Sequence, residues 1–202
     1  MATIDLKKQL KHLYQPSAGE IAVVEVPTMN FLMLDGSGDP NGTVYADAVG
    51  ALYAVAYALK FMLKKRDAAL DYTVMPLEGL WRTREGTLWY DTDRANWLWT
   101  AMIMQPEEIT EAMFEQARSD VGSKKRLDLA SMRFEAFTEG RAAQILHAGP
   151  YSEERPTIER LHAFLEQRGW RANGRHHEIY LNDPFRTAPE RLRTILRQPF
   201  AE

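Results

Sequence analysis

Apolar residues recur along the chain with two periods, and blocks of the two periods alternate. Over residues 3–14, Ile4, Leu6, Leu10 and Leu13 fall roughly on one side at helical spacing, which predicts a short amphipathic helix ended by Pro16. Residues 21–26 and 30–34 read as strands joined by Pro27-Thr28-Met29, a predicted hairpin. The turn-rich residues 35–42 lead into a long helix over 44–64, with Val49, Leu52, Val55, Ala56, Leu59 and Leu63 as its apolar stripe. Residues 72–81 read as a strand that Pro76 and Gly79 weaken or mark as an edge or bulge. A polar excursion (82–96), a strand (97–104) closed by Gln105-Pro106, and a helix (109–125) complete the first half. Residues 122–126 read as a linker.

The second half runs in a similar order. Strands at 132–137 and 141–147 form a predicted hairpin about Glu139-Gly140. A helix over 154–168 follows, and Gly169 is placed to end it. A strand at 177–181 and a last one at 192–197 close the chain. Pro76-Leu77-Glu78-Gly79-Leu80 occupies the slot of His176-His177-Glu178-Ile179-Tyr180, and both halves end a strand in Gln-Pro. The common order predicts an internal duplication. The expected organisation is one domain, 1–202, with βαββ repeats at 20–106 and 131–199 and a connecting helix and linker at 107–130. A cleft between the repeats is the expected ligand site.

Composition narrows the partners. A net charge of −3 disfavours a general nucleic-acid binder. The chain has no cysteine, so disulfide and thiolate chemistry are excluded. Residues 1–16 carry charges throughout and lack the apolar centre of a signal peptide, and the apolar run at 46–63 contains Asp47 and Lys60. We therefore read that run as a core helix and expect a cytoplasmic protein with no membrane partner. No oligomeric state follows from these features.

Four of the five tryptophans fall between positions 81 and 99: Trp81, Trp89, Trp97 and Trp99, with Tyr90 among them. Trp97 and Trp99 share a strand face, where they form either plain core or a flat wall for a ligand. Trp81, Trp89 and Tyr90 flank the polar excursion, a candidate flap. Tyr53 and Tyr57 lie one helical turn apart and face either the same cavity or the core. Strand alternation puts His176, Glu178 and Tyr180 on one face and His177 and Ile179 on the other. Glu178 is the leading candidate for chemistry if that face lines a cavity, and an ordinary surface residue if it does not. Tyr180 can hydrogen-bond to it or serve as a cross-strand packing partner. Glu78 is read as its repeat-mate, a second pocket carboxylate or a bulge residue. A metal reading of His176-His177-Glu178 fails because strand neighbours point to opposite faces, and no metal site is expected.

Four segments carry a family resemblance: Asp71-Tyr72-Thr73-Val74-Met75-Pro76-Leu77-Glu78-Gly79-Leu80-Trp81, Glu139-Gly140-Arg141-Ala142-Ala143-Gln144-Ile145-Leu146-His147, Gly149-Pro150-Tyr151-Ser152-Glu153-Glu154, and His176-His177-Glu178-Ile179-Tyr180-Leu181-Asn182-Asp183-Pro184. They resemble the GyrI-like small-molecule-binding proteins in their free-standing form. The resemblance implies an α+β fold, a duplicated βαββ (SHS2-type) unit with pseudo-twofold symmetry and an aromatic-lined pocket between the repeats. It implies that Glu178 is the pocket acid, with lipophilic aromatic small molecules as partners and no cofactor. One free-standing subfamily, the cyclopropanoid cyclopropyl hydrolases, opens the activated cyclopropane of DNA-alkylating natural products with a glutamate-activated water. The expectation is thus a detoxifying hydrolase with Glu178 and Tyr180 as catalytic residues. The alternatives are a drug-binding sensor or sequestering module and a gyrase-interacting inhibitor.

Overall fold

The predicted hairpins do not form, and their failure shapes the molecule. The computed structural model describes residues 4–17, 19–84 and 92–202. Strand β1 (Ala22–Val26) is followed after only Pro27 and Thr28 by β2 (Met29–Ser37). A two-residue hairpin needs a positive φ at its first turn position, which the proline ring forbids. Thr138 and Glu139, between β5 (Arg133–Phe137) and β6 (Gly140–Ala148), also keep negative φ. Both chains therefore run on instead of folding back. β1 pairs with β6 of the second repeat, and β5 pairs with β2 of the first.

The remaining strands are β3 (Leu77–Thr83), β4 (Trp97–Gln105), β7 (Arg171–Ala172), β8 (His176–Tyr180) and β9 (Arg193–Ala201). They complete one antiparallel sheet in the order β1-β6-β9-β8-β3-β4-β2-β5, with β7 added beside β9. The order reads as two copies of one unit meeting at the β3–β8 seam, which is the duplicated α+β architecture with pseudo-twofold symmetry. In a flat sheet β1 and β2, six strand spacings apart, would be separated by about 29 Å. Their two-residue connection reaches at most about 11 Å. The sheet must curl until its ends approach, and the Thr28 and Thr138 hydroxyls of the two connections meet at 2.6 Å.

The helices are α1 (Leu6–Gln9), α2 (Lys11–Tyr14), α3 (Thr43–Arg66), α4 (Glu111–Lys125) and α5 (Arg155–Glu166). The expected N-terminal helix is two single turns broken at Leu10 (φ −101°, ψ 40°). The expected linker at 122–126 is instead the last turn of α4, ended by Arg126 at φ 54°. Pro76 has no N–H for the ladder, so β3 starts at Leu77 and not at residue 72. α3 buries Ala51, Leu52, Val55, Ala56, Leu59 and Leu63 against the first repeat and α4, which is the expected stripe with Ala51 added and Val49 only half-buried. α5 buries Ile158, Leu161 and Leu165 against β6 and β9. Both helices cover the outer face of the sheet and leave the seam between them.

The inner face holds a buried ionic network. Glu139, in the turn after β5, reaches the middle of the sheet. Its carboxylate lies 3.0 Å from His177 Nδ1 and accepts from Arg197 Nη1 at 3.0 Å. His177 Nε2 lies 2.9 Å from Glu78 Oε2, and the Tyr14 hydroxyl donates to Glu78 Oε1 at 2.8 Å. Arg197 also donates to Gln144 Oε1 and to the Leu13 carbonyl, both at 3.0 Å, tying the N-terminal turns to the sheet. Two cations face two anions, so the buried charge is balanced. Burial alone would raise the Glu139 carboxyl, but the charges and hydrogen bonds of His177 and Arg197 hold it at about 2. Burial lowers His177, and Glu139 and Glu78 more than reverse this, so it rises above its ordinary 6.5.

The network should dominate stability. Arg197→Met leaves Glu139 with one partner and should cost about 3–5 kcal/mol in urea unfolding, part of it recovered in Arg197→Met/Glu139→Gln. Glu139 is depressed, so its contribution should be lost as pH falls from its ordinary 4.5 toward 2. His177 is raised, so its contribution is full below 6.5 and should fade as pH climbs through its elevated value.

Candidate functional site

The site lies on the outer face of the β3–β8 seam, between α3 and α5. The ladder sets Gly79 opposite Glu178 and Trp81 opposite His176, so these side chains share a face with Tyr180. β4 adds Trp99 and Trp97, paired with Trp81 and Thr83 respectively. Two glycines make room for flat rings. A Cβ on Gly36 would stand 2.1 Å from the Trp99 ring, and one on Gly79 would stand 2.8 Å from Trp81 Nε1 and 3.2 Å from the Tyr180 oxygen. The indoles and the phenol can thus lie down on the backbone.

Six rings build a box. Tyr45, from the first turns of α3, meets Trp99 edge-on at 4.9 Å and Trp81 at 5.6 Å. Trp97 abuts Trp81 at 5.7 Å, and Tyr151 meets Tyr180 at 5.6 Å, both near-perpendicular. Offset and edge contacts of this kind hold each ring at a defined tilt. The polar atoms form a relay within the box. Trp81 Nε1 donates to the Tyr180 oxygen at 3.2 Å, and the Tyr180 hydroxyl donates to Glu178 Oε2 at 2.6 Å. The other carboxylate oxygen, Glu178 Oε1, lies 3.6 Å from His176 Nε2 and makes no hydrogen bond among the described residues. Glu178 is only 4% exposed, so this is a buried acceptor set among the aromatic rings.

A second carboxyl shares the chamber. Glu154, at the start of α5, is 3% exposed. Burial and the nearby Glu178 push it up to about 9, against a smaller opposing effect of Thr194, whose residue pairs with Tyr180. Two poorly solvated carboxyls close together disfavour double ionisation, which raises the proton affinity of Glu154. Burial and the Glu178 charge also raise Tyr45 and Tyr180, and they help to push Tyr151 to about 12, so all three phenols stay protonated donors.

Of the residues singled out from the sequence, Glu178, Tyr180, Trp81, Trp97 and Trp99 come together here. Tyr53 sits half-buried at the rim, with its hydroxyl near the Leu77 backbone and the charge of Asp183. Tyr57 does not join them: it is 47% exposed and packs between Tyr53 and Phe61. Glu78 lies on the inner face, in the ionic network. The register gives the reason. The row Met33–Met102–Glu78 is matched in the second repeat by Gln144–Arg197–His177, so the counterpart of Glu78 is His177 and that of Glu178 is Gly79. A one-residue slip moves a side chain through the sheet. Trp89 and Tyr90 lie outside the described residues. Sequence reasoning gave no site role to Tyr45, Tyr151 or Glu154, although the last two lie in the 149–154 segment that carries part of the family resemblance. Among the described residues no group of three or more His, Asp or Glu is arranged to hold a metal ion.

A duplicated α+β unit with an aromatic chamber at its seam defines a class of small-molecule-binding domain. The profile of the GyrI-like small molecule binding domain matches residues 19–199, and the chain belongs to that family. A solved, uncharacterized conserved protein from Listeria innocua is 42% identical, with a TM-score of 0.90, over 98% of this chain and all of its own. A hydrolase from Listeria innocua is 40% identical, with a TM-score of 0.85, again over 98% of this chain and all of its own. The EcmrR C-terminal domain shares the fold at 12% identity and a TM-score of 0.59, over 91% of this chain and 98% of its own. No curated protein matches the chain.

The carboxyl pair has a measurable signature. A raised carboxyl stabilises the fold below its unfolded value near 4.5 and loses that contribution as pH rises toward 9. Glu154→Gln should therefore gain stability over the parent between pH 5 and pH 8, by about 1–3 kcal/mol in calorimetric unfolding. Glu178→Gln removes the like charge and should move the Glu154 titration, followed by carboxyl carbon NMR, downward.

Proposed function

We propose that the protein is a cofactor-independent hydrolase that opens the activated cyclopropane of lipophilic, DNA-alkylating aromatic compounds, a detoxifying activity of the cytoplasm. The observation that carries this reading is the free Oε1 of Glu178, buried among aromatic rings while its sister oxygen is held by Tyr180. The Tyr180 bond fixes the carboxylate and leaves one oxygen to take a proton from water. The water oxygen bonds to the cyclopropane CH₂ as the strained carbon–carbon bond breaks. The electron pair passes into the conjugated dienone, which becomes a phenolate and then takes up a proton. Water loses its proton to Glu178, so the base is returned when that proton leaves. The raised proton affinity of Glu154 favours its neutral form, which would keep a second negative charge away from the forming phenolate. The rings bind the flat body of the substrate, and orientation of this kind contributes several kcal/mol. The Listeria innocua relative described as a hydrolase supports hydrolytic chemistry.

A second reading rests on the same box. A single carboxylate walled by indoles and phenols also suits a lipophilic cation, held by charge and by the ring faces without turnover. Incubation with a cyclopropane-bearing alkylator, followed by mass spectrometry, separates the two. The hydrolase should yield the ring-opened water adduct, and Glu178→Gln should lower the rate by about 10²–10⁴-fold while binding persists. Tyr180→Phe should retain binding and lose less. Tight binding with product formed only at the rate in water would sink the hydrolase and leave the binder.

A further inference from the structure

The inner face of the sheet carries a second cavity, at the open end of the seam. It has a volume of about 370 Å³, at the lower end of the range of about 300–1,000 Å³ for small-molecule sites. Asp35, Leu80, Arg82, Thr100, Arg133 and Arg175 line it. Alternation puts the side chains of Leu80, Arg82, Thr100 and Asp35 on the face opposite those of Trp81 and Glu178, while Gly36 and Trp99 also border the cavity.

Its charge is not explained by the fold. The β3–β8 ladder ends at Trp81–His176, and the next residues along it are Arg82 and Arg175. Like charges directly opposite across a strand pair are destabilising. Among the described residues neither arginine has a carboxylate within 4.0 Å. Arg133 differs, because it is paired with Asp35 at 2.5 Å and with Glu135 at 3.0 Å.

The guanidiniums are also held in place. Arg175 Nη1 donates to Thr100 Oγ1 at 2.8 Å, and that hydroxyl donates to Asp35 Oδ1 at 2.5 Å. The other Asp35 oxygen accepts from Arg133 Nη1 at 2.5 Å. The chain Arg175–Thr100–Asp35–Arg133 thus fixes two guanidiniums on either side of the cavity, with Arg82 beside them. Arg175 is partly desolvated. Its burial and the charges of Arg82 and Arg133 disfavour the cation, against the opposing pull of Asp35 and Glu135. Arg175 uses one of its five donors in the Thr100 bond, and a planar guanidinium fork suits a tetrahedral oxyanion.

We propose that this cavity is a second ligand site, which takes the phosphate group of a small phosphate monoester between Arg82 and Arg175. The anion cancels the repulsion of the facing pair, and the cavity leaves room for a small organic remainder. The site does not depend on the cyclopropane reading and stands or falls separately from it.

The test is a titration of the full chain, ¹⁵N-labelled, with methyl phosphate at constant ionic strength, with sodium chloride, sulfate and acetate as separate arms. Saturable shifts of the Arg82, Thr100 and Arg175 amides are expected with methyl phosphate, and weaker binding with acetate. Arg82→Gln and Arg175→Gln should each weaken binding by about tenfold or more, the loss of a charge-assisted hydrogen bond. Arg82 is exposed, so its replacement leaves the fold intact, and the urea midpoint checks this. Glu178→Gln should bind methyl phosphate as the parent does. Shifts that chloride reproduces, or saturable binding unchanged in both arginine variants, would overturn the site. Equal binding of acetate would overturn the phosphate assignment, and tighter binding of sulfate than of methyl phosphate would overturn the monoester.

Discussion

The pleat of the β3–β8 seam is the constraint on which the rest depends. Neighbouring residues on these two strands go to opposite faces, and both faces are buried. His177 and Glu78 turn inward and find Glu139, Arg197 and Tyr14. Glu178 and Tyr180 turn outward and find rings. The two sets follow opposite electrostatic rules. In the inner network of Glu78, His177, Glu139 and Arg197, each charge has a counter-charge and hydrogen bonds, so burial is tolerated. Outside, a carboxylate oxygen is left without a partner and a second carboxyl is driven to hold its proton. A fold can carry such a poorly solvated group when stability comes from elsewhere, and the inner network lies one residue away on the same strand.

The exchange of edge strands explains how the seam comes to be buried on its inner side. Had β1 and β2 closed as a hairpin, each repeat would be a separate unit and nothing would force the sheet to curl. Because Pro27 excludes the tight turn, β1 is carried across to β6, and the short connections draw the ends of the sheet together. That curl brings Glu139 from a peripheral turn to the central strand. α3 and α5 pack on the outer face and leave the aromatic cluster between them, while the short N-terminal turns reach the inner network. The ionic network and the aromatic chamber are therefore two results of one topology.

Much of the chamber was legible from local pattern. The alternation in 176–180 put Glu178 and Tyr180 together, and the density of tryptophan between 81 and 99 marked its wall. Glu78 was misplaced because short motifs align two repeats only to within a residue, and in a strand one residue exchanges the faces. Tyr57 was misread because helical spacing cannot tell the face toward the sheet from the face beside it. Glu154 carried no local signal, since its raised proton affinity comes from burial and from Glu178, distant in sequence. The facing pair Arg82 and Arg175 escaped for the same reason, because only strand pairing brings them together.

The sequence by itself determined most of the helices and strands, their order and the duplicated α+β class, because these follow from periodicity and local turn chemistry. Only the tertiary structure decided which strands pair, which carboxyl has its proton affinity raised and which glutamate shares the chamber. Pairing, burial and charge coupling act between residues far apart in the chain, and nothing in a local pattern records them.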